Sequence, residues 1–141
     1  MVDLRRTFNG LLRNWGHDVL LQRRLPDVYN DPHPKPLFAT KLERHTVRHM
    51  YPTNRALADV QAEHMEGLVI TVDMVYYFKW DVSPEEGDRI YEIDDRVPKG
   101  DSFRTVTNTV RELYTIDYAL PMRGKGGSII YWACGATRSD P

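Results

Sequence analysis

The chain has 141 residues, the usual length of one domain and enough to bury most of its apolar surface on folding. Its content of 41% hydrophobic and 28% charged residues is typical of a soluble globular protein, and no apolar run approaches the roughly 20 residues that a membrane-spanning helix needs. The net charge is −1, because a basic excess early in the chain nearly cancels an acidic excess later.

The charge is divided unevenly along the chain. Residues 1–55 carry 10 Lys and Arg against 5 Asp and Glu, whereas residues 56–141 carry 9 against 15. Such a division can produce opposed charged surfaces that set the register between head-to-tail neighbours. A chance distribution over a mixed surface is the alternative.

The N-terminus and the cysteine content bear on the compartment. The opening sequence MVDLRRTF carries charges where a signal peptide needs an apolar segment, so we expect no export signal. The single cysteine, Cys134, excludes an internal disulfide and suggests assembly in a reducing compartment. Because Cys134 lies in an apolar run without an activating partner in the sequence, we expect an inert, buried thiol.

A short amphipathic helix is predicted over residues 3–15. Asp3 is placed to cap its start and Gly16 to end it. Large apolar residues recur on one side at helical spacing, namely Leu4, Phe8, Leu11, Leu12 and Trp15. We expect this stripe to cover the end of a β scaffold, because a lone stripe usually serves the protein's own core; docking onto a partner is the alternative.

A strand and a long loop are predicted next. Residues 17–25 have strand character and end in Arg23 and Arg24, followed by a proline-rich loop over residues 26–40. We interpret this loop as an assembly arm, because it contains Leu37 and Phe38, which a purely solvated linker does not need. Packing of both side chains into the protein's own core is the alternative.

The middle of the chain is less regular. Residues 41–50 alternate long polar and smaller side chains, which fits an exposed strand. Residues 55–65 lack strand character and fit a short helix or an ordered loop.

The main β region is predicted over residues 68–135. A run of β-branched and aromatic residues from 68 to 80 indicates a buried strand, and an acidic turn with Pro84 and Gly87 leads into a second strand that ends at Ile93. Together with the earlier segments, this predicts a single, mainly β domain, a small antiparallel β-barrel or sandwich with a short N-terminal α-helix and long loops.

The last third of the chain continues the β pattern. Residues 103–118 again favour a strand, and residues 121–127, with their GKGG sequence, indicate a hairpin connection rather than a phosphate-binding loop. Residues 128–134 form the last predicted strand, and we expect the tail after them to be loose.

No catalytic, cofactor or metal site is expected. His45 and His49 share a face on a strand but lie about 13 Å apart there, which is too far for one ion, and the other histidines are scattered. The acidic pairs Glu85–Glu86 and Asp94–Asp95 point apart on an extended chain, so solvated turns explain them better than acid–base chemistry.

The aromatic residues raise the alternative of nucleic-acid binding. Tyr76, Tyr77, Phe78 and Trp80 would form a stacking platform like that of an OB-fold if they faced solvent. A phosphate backbone also needs a positive groove, yet this part of the chain is net acidic. Core packing is therefore the better interpretation of most of these side chains.

Three segments, in this order, carry a resemblance to a known family. Residues 18–24, Asp-Val-Leu-Leu-Gln-Arg-Arg, form a strand that follows a glycine-led start and ends in basic residues. Residues 84–91 combine a turn containing proline and glycine with a GDR-type strand start, and a strand bearing Tyr131 follows. Together they resemble the head-closure, or head-to-tail connector, proteins of tailed bacteriophages.

The resemblance implies a small β-barrel that assembles as a homo-oligomeric ring below the portal, in the neck of the virion, after assembly in the host cytoplasm. Such a ring extends the channel through which genomic DNA passes without sequence-specific binding, and it docks portal or adaptor and tail proteins. It implies no enzyme activity, no cofactor and no membrane contact. Ring neighbours would make heterologous contacts that close by rotation.

The contacts of such a ring are expected at basic residues of the helix and first strand and at residues of the arm, namely Arg5, Arg13, Arg23, Arg24, Pro34, Pro36, Leu37 and Phe38. A tail-terminator or baseplate protein is the alternative within the structural class. From other classes, an OB-like nucleic-acid-binding module and a small β-barrel enzyme remain as alternatives.

Overall fold

The computed structural model describes residues 3–26, 37–51, 72–93 and 110–139. Their elements are α1 (Leu4–Trp15), β1 (His17–Gln22), β2 (Arg24–Leu25), β3 (Leu37–Phe38), β4 (Glu43–Met50), β5 (Met74–Lys79), β6 (Arg89–Ile93), β7 (Val110–Arg123) and β8 (Ile129–Ser139). Six strands close into an antiparallel barrel in the order β1-β4-β5-β8-β7-β6, and β2 and β3 form a separate two-stranded sheet. The predicted fold class is therefore confirmed. Within these residues, no helix has the length and apolar character needed to cross a membrane.

The main core fills the interior of the barrel. It consists of side chains that alternate along all six barrel strands, with one more from the turn after β5: Val19, Leu21, Val47, Met74, Tyr76, Phe78, Val82, Ile90, Tyr114, Ile116, Cys134 and Ala136. The burial of Cys134 is as predicted, and burial raises the pKa of its thiol well above the ordinary value. Tyr76 and Phe78 are fully buried, so the interpretation of these aromatic residues as core is confirmed.

A second apolar cluster explains why β1 shows weak alternation in the sequence. Leu20, Leu42, Tyr91, Ile93 and Leu113 pack together. Leu20 lies between two residues of the barrel core and points to the opposite face. Both faces of this part of the wall are thus buried, and a strand buried on both faces reads as a continuous apolar run.

The helix begins and ends at the predicted residues. The Asp3 carboxylate accepts a hydrogen bond from the Arg6 amide at 3.2 Å, and the Gly16 amide donates to the Leu12 carbonyl at 2.8 Å. A Cβ on Gly16 would overlap that carbonyl oxygen and lie 2.9 Å from the carbonyl oxygen of Val47. Glycine therefore allows the end of the helix to approach β4 closely.

The predicted strand over residues 17–25 is interrupted at Arg23. Beyond this residue the chain leaves the barrel, and β2 pairs with β3 through Arg24 with Phe38 and Leu25 with Leu37. The prediction of a loop through residue 40 is thus wrong at Leu37 and Phe38. Residues 27–36 of that predicted loop lie outside the described residues.

Two further predictions need correction near the C-terminus. The β7–β8 hairpin turns at residues 124–128, where the Gly124 amide donates to the Ser128 carbonyl, and β7 continues through Pro121 to Arg123. Proline has no amide proton to donate to a neighbouring strand. Pro121 is tolerated because the pairing of β7 with β6 ends at Thr115, so β6 does not need a donor from Pro121. The predicted loose tail is also wrong, because β8 extends to Ser139 and pairs with β7.

The remaining predictions fall partly within and partly outside the described residues. The strands expected over residues 41–50 and at the end of the 68–80 run are present as β4 and β5, and the acidic turn before β6 has Gly87 at φ 92°. The prediction for residues 55–65 lies outside the described residues, as does the start of the strand predicted at residue 103.

Gly135 in β8 leads to a test of the packing between β7 and β8. It pairs with Tyr118, and an added Cβ would overlap the Tyr118 ring, with the phenolic oxygen only 2.7 Å away. We expect Gly135→Ala to lower the free energy of unfolding by about 1–3 kcal/mol, because the ring must move. Gly10→Ala is the control, since a Cβ on helical Gly10 meets nothing within 4 Å and should stabilise by about 0.5–1 kcal/mol. Equal effects of the two changes in urea unfolding would contradict this account.

Candidate functional site

The helix docks on the barrel through only one edge of its apolar stripe. Leu12 is 1% exposed, and the Phe8 ring stacks on Tyr131 with centroids 4.8 Å apart. Leu4, Leu11 and Trp15 remain 47%, 49% and 69% exposed. The expectation that the stripe covers the scaffold is therefore right for Leu12 and Phe8 and wrong for the other three residues, which form the exposed helix face.

A groove adjoins this helix face. The start of α1 faces the β7–β8 hairpin, and an open concavity between them is lined by Leu4, Gly124 and Ile130 among others. Arg5 holds the helix in place here, because its Nε donates to the Ile129 carbonyl at 2.7 Å and its guanidinium lies 4.0 Å above the Trp80 ring. The predicted interface residue Arg5 thus fastens α1 to the barrel.

The two-stranded sheet of β2 and β3, here called the ribbon, presents a second apolar surface. Leu25 and Leu37 are 42% and 43% exposed. Phe38 is half-buried, with the guanidinium of Arg89 3.7 Å from its ring centroid. The ribbon therefore contacts β6 with Phe38 and leaves its two leucines accessible.

The helix face and the ribbon lie on different parts of the barrel. The helix packs against β4, β5 and β8, which are consecutive in the barrel with β5 in the middle. The ribbon contacts the start of β6, which is three positions from β5 in the closed order of six strands. The protein thus carries two different apolar surfaces at separate places on the barrel.

Arg23 connects the ribbon to the barrel through an ion-pair cluster. Its guanidinium contacts Glu43 Oε2 at 2.9 Å and Asp88 Oδ2 at 3.4 Å and donates to the Ser83 carbonyl at 2.8 Å. Asp88 is only 1% exposed and also accepts the Arg24 amide at 2.8 Å. The hydrogen bond from Arg23 holds the pKa of the Glu43 carboxyl below its usual range. The guanidinium of Arg23 is therefore engaged within the protein itself.

The other predicted interface residues have varied surroundings. Arg13 and Arg24 are exposed on the helix and the ribbon. Pro34 and Pro36 lie outside the described residues. The participation of all these residues in an interface stays a prediction.

Comparison with known proteins identifies no relative. The chain matches no protein-family model, and no curated protein and no solved structure is significantly similar to it. The resemblance to phage head-closure proteins thus rests on the three sequence segments. Two of these segments are neighbours in space, because β1 pairs with β6 and the Tyr91 hydroxyl donates to the buried Gln22 amide oxygen at 2.8 Å.

A cluster of two histidines and a glutamate was missed by the sequence interpretation. His17, His49 and Glu92 come together at one end of the barrel, whereas His45 lies away from them and contacts Glu43 at 3.0 Å. The spacing of His17, His49 and Glu92 in the sequence gives no sign of this cluster, because the three residues belong to three different strands. Among the described residues, it is the one group of this kind whose donor atoms are close enough to share a metal ion.

Proposed function

We propose that this chain is a structural protein of the neck of a tailed bacteriophage, a head-closure subunit that forms a homo-oligomeric ring between portal and tail. The ring would extend the DNA channel, and its subunits would perform no catalysis. The resemblance of β1, the turn before β6 and β8 to head-closure proteins supports this proposal, as does the small barrel on which these segments lie.

The observation that carries the proposal is the pair of unlike, separate apolar surfaces. In a ring, each subunit presents one surface to the neighbour on one side and a different surface to the neighbour on the other. The helix face, with Leu4, Leu11 and Trp15, would contact the ribbon of the next subunit, with Leu25 and Leu37. Exposed large apolar side chains of this kind mark interaction sites when they are grouped.

Charged residues lie near both surfaces. Arg6 and Arg13 are exposed on the helix, and Arg24 is exposed on the ribbon. Glu85 and Glu86 are exposed in the turn that precedes β6, next to Asp88, which accepts the Arg24 amide. Pairing of these glutamates with the helix arginines of the next subunit would help to set the register between neighbours.

The double variant Leu11→Ser, Trp15→Ser tests the ring. We expect it to fold with a melting temperature close to that of the wild type, because both side chains are exposed, and to lose assembly. Electron microscopy and light scattering of the protein alone and with tailless, portal-bearing heads measure the ring. The joining of heads to tails should fall at least tenfold.

Asn14→Ser is the matched control, because Asn14 is exposed on the same helix but does not belong to the apolar stripe. It should assemble as the wild type does. Normal ring formation by the double variant would overturn the proposed contact. A wild-type protein that attaches to isolated tails but not to heads would identify a tail-terminator instead.

Two of the four aromatic residues that suggested nucleic-acid binding are buried. The stacking platform required Tyr76 and Phe78 at the surface, and both are 0% exposed. Tyr77 packs edge-on against Tyr131, and Trp80 lies under Arg5. Core packing thus accounts for Tyr76 and Phe78, whereas Trp80 remains 38% exposed.

A further inference from the structure

Three strands bring His17, His49 and Glu92 to one end of the barrel interior. His17 starts β1, which has β4 on one side and β6 on the other. His17 is two residues from Val19, His49 is two from Val47, and Glu92 is two from Ile90; these three neighbours all belong to the barrel core. Because side chains two apart on a strand share a face, all three polar residues point inward at this end.

The donor atoms of the three side chains converge on one point. His17 Nε2 lies 2.9 Å from Glu92 Oε2 and 3.1 Å from His49 Nδ1, and His49 Nδ1 lies 3.3 Å from Glu92 Oε1. Ligands bound tetrahedrally to zinc, with bonds of about 2.0–2.1 Å, are separated by about 3.3 Å. The three donors therefore already have nearly the spacing that a zinc ion would impose.

Hydrogen bonds among the two histidines and the glutamate leave an unfavourable contact wherever the imidazole protons are placed. A neutral imidazole nitrogen carries either one proton or one lone pair. If both nitrogens donate to Glu92, two N–H groups face each other across 3.1 Å; if one nitrogen keeps its lone pair, that lone pair faces a carboxylate oxygen. A cation between the three residues would accept a lone pair from each.

A neighbouring side chain orients the Glu92 carboxylate, as hydrogen-bonding residues around the ligands do in metal sites. The buried Tyr76 hydroxyl donates to Glu92 Oε1 at 2.7 Å. This bond holds one carboxylate oxygen of Glu92 in position beside the two histidines.

We propose that His17, His49 and Glu92 form a binding site for a divalent transition metal, and that Zn²⁺ is the ion this donor set fits best. Two imidazoles and one carboxylate suit Zn²⁺ and Co²⁺, whereas Mg²⁺ prefers oxygen ligands. The side chains of His17 and His49 are 32% and 38% exposed, so water can reach the fourth position of a tetrahedral ion. The bound metal would tie β1, β4 and β6 together at this end of the barrel.

Titration of the untagged, chelator-treated full chain with Zn²⁺ and with Co²⁺ tests the site. We expect one ion per chain by calorimetry, a visible Co²⁺ absorption band typical of low coordination number, and a higher melting temperature with Zn²⁺ but not with Mg²⁺. His49→Gln and Glu92→Gln should each weaken Zn²⁺ binding at least tenfold and abolish the rise in melting temperature.

His45→Gln is the matched control, because His45 lies on the same strand as His49 and contacts Glu43 instead. It should bind Zn²⁺ as the wild type does. If Glu92→Gln fails to fold, His49→Gln still tests the site, because the His49 side chain is half-exposed and its replacement should not prevent folding. Absence of stoichiometric Zn²⁺ binding by the wild type would overturn the proposal, as would equal loss in His45→Gln and His49→Gln.

Discussion

Replacing Arg23 with methionine should lower the free energy of unfolding by about 3 kcal/mol, because it leaves a buried charge without its partner. Asp88 is 1% exposed and would keep the amides of Arg24 and Glu85, at 2.8 and 3.0 Å, but no longer face the Arg23 guanidinium. The Ser83 carbonyl would lose its donor as well. Urea unfolding followed by circular dichroism measures the change.

Two companion variants separate this effect from a general loss of surface charge. Glu43→Gln removes the other carboxylate that Arg23 contacts, but the Glu43 side chain is 37% exposed, so we expect a loss below about 1 kcal/mol. In an Asp88→Asn background, Arg23→Met should have a much smaller effect, since the buried charge is already gone. Equal losses from Arg23→Met in both backgrounds would show that the pair with Asp88 is not the source of the stability.

Leu12→Ala should lower the free energy of unfolding by about 2–4 kcal/mol, because it leaves a cavity between the helix and the barrel. Leu12 is 1% exposed, whereas the adjacent Leu11 is 49% exposed. Leu11→Ala should therefore change the stability by less than about 0.5 kcal/mol. Thermal and urea unfolding of the two variants gives the comparison, and a larger loss for Leu11→Ala would mean that the helix packs through the other edge of its stripe.

The two leucines also separate folding from assembly. At a low temperature, at which the Leu12→Ala variant is still folded, it should form rings as the wild type does. The reason is that the Leu12 side chain is buried inside the subunit. Changes at Leu11 should affect assembly and leave stability almost unchanged. A variant of Leu12 that abolishes rings at a temperature where it is fully folded would contradict this division.

The sequence alone determined the features that depend on near neighbours in the chain. The capping residues Asp3 and Gly16 gave the bounds of α1, because a helix end is decided by the few residues that satisfy its free amides and carbonyls. The GKGG sequence indicated the last hairpin, in which Gly126 and Gly127 have φ values of 95° and 86°. β-branched and aromatic runs indicated most of the described barrel strands, since a pleated and buried surface favours those residues.

Predictions that depend on a distant partner were less accurate. The helical spacing identified the apolar stripe but not which edge of it is buried, because Leu11 and Leu12 are equally apolar and only the position of the barrel distinguishes them. Leu37 and Phe38 become a strand because β2 is beside them. Pro121 and the residues after Cys134 remain in strands because β7 and β8 pair with each other along most of their length.

Only the tertiary structure decided which polar groups meet. Arg23 and Asp88 are 65 residues apart, and His17 is 32 residues from His49 and 75 from Glu92. The period of a strand tells which face a side chain occupies, but not which strand lies beside it. Closure of the barrel removes free strand edges, and in the closed barrel β1 lies between β4 and β6 around one apolar core. The three polar side chains meet because of that neighbourhood.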